Sequence, residues 1–102
     1  MLTQEDYKQA VVTNTVQDND FISDILIEVF VNKSDEIFPI IYRDNALNKH
    51  CFPAIYDLVK QDVADANDEA LWSNISTDDE IETYINGFIA GIYSTLDFFS
   101  KE

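Results

Sequence analysis

The chain has 102 residues, with six Lys and Arg against twenty Asp and Glu, a formal net charge of −14. That length holds one domain, expected over residues 1–102, which buries roughly two thirds of its unfolded surface. The charge argues against direct nucleic-acid or anionic-membrane binding, since both draw on Lys and Arg to neutralise phosphates and this chain has no basic cluster.

A hydrophobic content of 46% with 13% aromatics argues for a folded chain, because disorder needs low hydrophobicity as well as high charge. Cys51 is the single cysteine, which rules out an intramolecular disulfide scaffold. The opening Met1-Leu2-Thr3-Gln4-Glu5-Asp6 has neither the basic nor the apolar stretch of a signal peptide, and no apolar run nears the roughly 18 residues of a membrane span. A cytoplasmic protein without membrane contact is expected. Twelve Ile and eight Asn against two Gly look like an AT-rich coding sequence, such as that of a low-GC bacterium or its phage.

In chain order, Thr3 followed by Asp6 forms a capping box, and Tyr7, Ala10, Val11 and Asn14 recur at helical spacing, predicting a helix over 4–16. Asp18-Asn19-Asp20 is a polar break. From Phe21 to Val31, a period of 3.6 puts Ile22, Ile25, Leu26, Val29 and Phe30 on one face, with Asp24 and Glu28 opposite. The same segment is rich in β-branched residues, so a hairpin at about 25–42 is the alternative, an α+β fold. Pro39 counts against it, because it removes a ladder donor in mid-strand.

Ser34-Asp35-Glu36 caps a short third helix, with Ile37, Ile40 and Ile41 facing inward and Arg43-Asp44-Asn45 breaking it. Pro53 is a favoured first helical residue, and Phe52, Ile55, Tyr56, Val59, Val63, Ala66 and Ala70 follow at steps of three and four, in a helix expected to end near Asn67. Leu71, Trp72 and Ile75 form a hydrophobic connector. Thr77-Asp78-Asp79-Glu80 is a capping box with acids at the positive end of the helix dipole. Ile81, Ile85, Phe88, Ile89, Ile92, Leu96 and Phe99 then mark one long helix. The expected architecture is all-α: a small bundle of four to five helices with a long C-terminal helix.

That last helix carries a second face of Tyr84, Gly87, Gly91, Thr95 and Phe98. Gly87 and Gly91 have the spacing that lets helix backbones approach closely. Two readings are open: a crossing inside the chain, or a homodimer seam in which the helix packs on its symmetry mate.

Between Gln61 and Glu82 lie eight acids, Asp62, Asp65, Asp68, Glu69, Asp78, Asp79, Glu80 and Glu82, and no Lys or Arg. Such a face either solubilises a small hydrophobic protein or presents charge to a basic partner. Carboxylates three and four residues apart on a helix lie about 5–6 Å from one another, measured between Cβ atoms. Trp72 beside these acids, with Tyr84 or Tyr56 near it, is a candidate anchor for that partner.

Metal and catalytic readings find less support. Counting a calcium loop from Asp18 puts Ile22 and Ser23 at positions 5 and 6, and counting from Asp65 puts Ala70 at 6 and Ser76 at 12, where ligands, Gly and Glu are needed. Zinc lacks His and Cys ligands. His50 and Cys51 are sequence neighbours whose side chains diverge on any regular element, and no phosphate loop, GxSxG, HExxH or CxxC occurs. No catalytic residue, metal or cofactor is expected. The sequence therefore points to a non-enzymatic binding protein, an acidic mimic of nucleic acid that blocks the DNA- or RNA-binding site of a basic protein such as a nuclease. Its alternative is a helical dimerisation or small-ligand module whose acids only solubilise.

Overall fold

The computed structural model describes residues 2–14, 20–47, 49–50, 52–69 and 78–100, without the side chains of 20, 21, 78, 99 and 100. Every regular element among them is helical: α1 (Gln4–Thr13), α2 (Asp20–Asn32), α3 (Ser34–Leu47), α4 (Phe52–Glu69) and α5 (Asp78–Ser100). The all-α bundle with a long last helix is what the periodicity predicts. The hairpin alternative is excluded, since residues 25–42 form two helices separated only by Lys33. No described helix is long and apolar enough to cross a membrane.

The local signals act where expected. At the start of α1 the Asp6 amide donates to Thr3 Oγ1 at 3.2 Å and the Thr3 amide donates to Asp6 Oδ2 at 2.9 Å, the reciprocal pair of a capping box. α1 stops at Thr13 rather than continuing to residue 16, because Asn14 turns to extended backbone (φ −87, ψ 126) and its Nδ2 donates to the Phe88 carbonyl at 2.7 Å. The α4 helix continues two residues beyond Asn67, to Glu69. Thr77, Leu71, Ile75 and Ala70 lie outside the described residues.

The third helix corrects the expectation of a short element broken at Arg43-Asp44-Asn45. α3 runs through all three to Leu47. Asp44 is buried and accepts a hydrogen bond from the Tyr93 hydroxyl at 2.8 Å, so a tertiary partner holds in the helix a residue whose own preference is for caps and turns. Pro39 is the sixth residue of α3 and is exposed. Water can therefore reach the carbonyl that loses its amide donor there.

One core joins the five helices. The five positions predicted for the inner face of α2 are all buried, as are Tyr7, Ala10 and Val11 of α1, Ile37 and Ile41 of α3, Ile55, Val59 and Val63 of α4, and six of the seven core positions named for α5, Phe99 lying outside the described side chains. α4 packs on α2 and α5, and α1 packs against α2, α3 and α5. At the centre the Phe30 and Phe88 rings meet at 4.9 Å, and the Tyr7 hydroxyl donates to the Phe30 carbonyl at 2.8 Å. Burial pushes the Tyr7 hydroxyl well above the ordinary tyrosine range, because an ionised phenol has no water to solvate it there.

The two glycines of α5 have different settings. A Cβ on Gly87 would meet nothing within 4 Å, whereas one on Gly91 would lie 2.5 Å from Asn14 Oδ1. The close approach at Gly91 is thus made by the C-cap of α1 in the same chain. Gly87→Ala raises stability by about 0.5–1 kcal/mol, the usual helix-interior gain. In Gly91→Ala that gain is offset by displacing the Asn14 amide from Phe88, so it falls below Gly87→Ala by about 1–2 kcal/mol. Thermal unfolding of the two variants beside the parent checks this; equal shifts would contradict the Asn14 contact.

Candidate functional site: an acidic groove between α2 and α4

α4 sets the site. Its inner stripe of Ile55, Val59 and Val63 is fixed against the core, which turns Asp62, Asp65, Asp68 and Glu69 outward, and all four are exposed. The first turns of α5 likewise leave Asp79, Glu80 and Glu82 exposed. Seven of the eight acids singled out in the sequence therefore have described side chains at the surface. Asp78 starts α5, but its side chain and the whole of Trp72 lie outside the described residues.

These acids do not form one uniform sheet of charge. Asp62, Asp65 and Glu69 line a groove of about 500 Å³ between α4 and α2, together with Ala66, Glu28, Asn32, Ile25 and Val29. On both helices the lining positions follow the same i, i+3, i+4, i+7 spacing, so the groove is two turns long, about 10 Å. Ile25 and Val29 are almost fully buried and supply an apolar floor between the acidic α4 wall and an α2 wall that carries Glu28 and the neutral Asn32. Lys33, just past the end of α2, lies 3.6 Å from Asp62 and 3.6 Å from Glu36. The Gln61 amide donates to Asp65 at 2.8 Å. Asp68 is on α4 outside the groove, and Asp79 and Glu80 line a separate depression of about 260 Å³ with Thr83 and Tyr84.

Glu28 is the groove residue that sequence reasoning placed only on a solvent face. The available signal was Ile25, Glu28, Val29 and Asn32 at the spacing of one helix edge, but which helix that edge meets is a tertiary fact. Tyr56, weighed beside Trp72 as an anchor, has Lys60 Nζ 5.8 Å from its ring centre.

Of the face named for a dimer seam, Gly87 and Phe98 are exposed while Tyr84, Gly91 and Thr95 are half-buried, Gly91 against Asn14. His50 is exposed, with its ring 4.4 Å from that of Tyr93 and its Nε2 3.6 Å from Asp97. Cys51 lies outside the described residues. Among the described residues no three of His, Cys, Asp and Glu converge to hold a metal ion. The chain matches no protein-family model, no curated protein and no solved structure.

Proposed function

We propose that the protein is a non-enzymatic inhibitor that binds a basic, nucleic-acid-binding protein such as a nuclease and occupies the site where DNA or RNA would lie. The observation that carries this reading is the run of exposed carboxylates on α4 and the start of α5, with Lys60 as the single basic residue of those two helices and turned to Asp57, 3.4 Å away. Asp62, Asp65, Asp68 and Glu69 on α4, and Asp79, Glu80 and Glu82 on α5, stand in for phosphates, with Asp78 and Trp72 adjoining them in sequence. Fixed on rigid helices, they complement a basic cleft and speed encounter with it. The mechanism is competitive exclusion. Like-charge repulsion along such a face opposes folding, so a binding role is one reason for a chain to carry it.

The test is charge removal without change of shape. Replacing Asp62, Asp65 and Asp68 by Asn and Glu69 by Gln lowers affinity for the captured partner by at least about tenfold, and flattens its salt dependence, because the attraction comes from exposed charge. Unchanged affinity, measured by calorimetry on a variant with the parent's circular dichroism, would refute the reading. A second reading rests on the exposed Phe98 and the open space at Gly87: a homodimer through Tyr84, Gly87, Gly91, Thr95 and Phe98. Sedimentation of the parent and of Phe98→Ser tests it, and the inhibitor reading does not depend on the outcome.

A further inference from the structure

The groove between α2 and α4 has a property that phosphate mimicry alone does not require. A surface that only imitates a nucleic-acid backbone needs charge at intervals. Here the charge flanks a channel whose floor, Ile25, Val29 and Ala66, is apolar. Ile25 and Val29 retain only 8% and 7% of their exposure, so what they offer is a narrow apolar strip, open along the groove. Glu28 stands on one wall and Asp62, Asp65 and Glu69 on the other. Lys33 sits at the Asp62 end alone.

We infer that this groove takes one amphipathic basic helix of the partner, lying along it with an apolar side chain on the Ile25–Val29–Ala66 floor and Arg or Lys heads at the carboxylates of the two walls. The inference rests on the reading of the acidic face as a partner-binding surface and names the element that the face grips. Three features of the groove fit that occupant. Its lining carries four carboxylates and no Lys or Arg, so the segment that fills it is positive. Its floor is apolar, so the segment carries an apolar residue or lays the methylene stems of Arg and Lys there, as those side chains do when the charged head stays hydrated. Its length of two helical turns, about 10 Å, matches a helix seated in a groove with anchors three and four residues apart. Basic helices of this kind are what many nucleic-acid-binding proteins insert into the major groove. An inhibitor that holds that helix removes the reading element itself.

The experiment uses the full chain and two fluorescent helical peptides of equal charge, one with Arg and Leu at helical spacing and one with each Leu replaced by Ser. Anisotropy titrations are expected to give the Arg/Leu peptide at least about tenfold tighter binding, the difference coming from the floor. Ala66→Phe fills the groove without altering charge, and Glu28→Gln removes a wall charge at an exposed position. Each weakens the Arg/Leu peptide about fivefold or more, while Glu5→Gln, which removes one exposed carboxylate on α1 away from the groove, changes it less than about twofold. Thermal unfolding of each variant verifies the fold, and Glu28→Gln carries the test if Ala66→Phe does not fold. Equal binding of the two peptides, or groove variants no weaker than Glu5→Gln, overturns the groove inference and leaves the surface reading standing. Failure of both peptides to bind at low salt overturns the two together.

Discussion

Phe30→Ala lowers the unfolding free energy by about 3–5 kcal/mol, the usual result of truncating a fully buried aromatic ring. Phe30 is completely buried near the end of α2, its ring 4.9 Å from that of Phe88 on α5, and its carbonyl takes the Tyr7 hydroxyl of α1. Three helices therefore meet at one residue. The cavity left by the ring is bordered by side chains fixed on different helices and cannot collapse without moving one of them. Domains of this size have about 5–15 kcal/mol in all, so the variant stands near the edge of folding. Urea denaturation followed by circular dichroism measures the loss. A cost below about 1.5 kcal/mol would mean that the α2–α5 junction relaxes freely and the core is looser than its packing indicates.

Tyr93→Phe costs about 1.5–3 kcal/mol although it removes one oxygen atom, because hydrogen bonds to charged groups are worth more than neutral ones. Asp44 is buried on α3, and the Tyr93 hydroxyl reaches its Oδ2 at 2.8 Å. Arg43 Nε is 3.8 Å from the other carboxylate oxygen, on a side chain that is mostly exposed and held at the surface, where such a pair contributes little. The Asp44 carbonyl also accepts the Lys49 amide at 2.8 Å, which ties the end of α3 to the chain leading into α4. Removing the Tyr93 hydroxyl takes one donor away from a carboxylate that is almost wholly buried. The double variant Asp44→Ala/Tyr93→Phe costs less than the sum of the single changes, since each single change already removes the same bond. Strict additivity in a denaturation cycle would place the two side chains in separate networks.

The helical content was legible because apolar positions at steps of three and four survive in every element. The inner face of α2 was read residue by residue, despite β-branched residues that also suit a strand, since period decides which side chains can share one core. The Thr3–Asp6 box was equally plain, being contained within four residues. What escaped the sequence were features settled by distant partners. Arg43-Asp44-Asn45 looks like a break until Tyr93 supplies Asp44 with a donor from forty-nine positions away. Whether the close approach at Gly91 is made within the chain or by a second copy was left open by its spacing, and Asn14 against it is an approach within the chain. The acids of α4 were visible as a run, but Glu28 joined them only when α2 was laid alongside. Local periodicity gives each helix an inside and an outside; it does not say which two outsides become neighbours.

The same division bears on function. The carboxylates stand on a helix whose buried stripe cannot rotate without exposing Ile55, Val59 and Val63, so the direction in which the acidic face points is set by the core behind it. In the proposed binding role, charge presented on a folded helix is ordered before the partner arrives, at less cost than in a flexible acidic tail. The proposed attraction to a basic partner is exposed to solvent ions, so it is expected to weaken as salt shortens the screening length from about 10 Å at 0.1 M to about 3 Å at 1 M.

The most direct test of the binding claim is a capture experiment from lysate with the tagged full chain, at low and at high salt, with and without competing duplex DNA. Occupation of a nucleic-acid site predicts that a basic, nucleic-acid-binding protein is retained at low salt and that DNA and salt each release it. Retention of a partner that neither DNA nor salt displaces would contradict the claim.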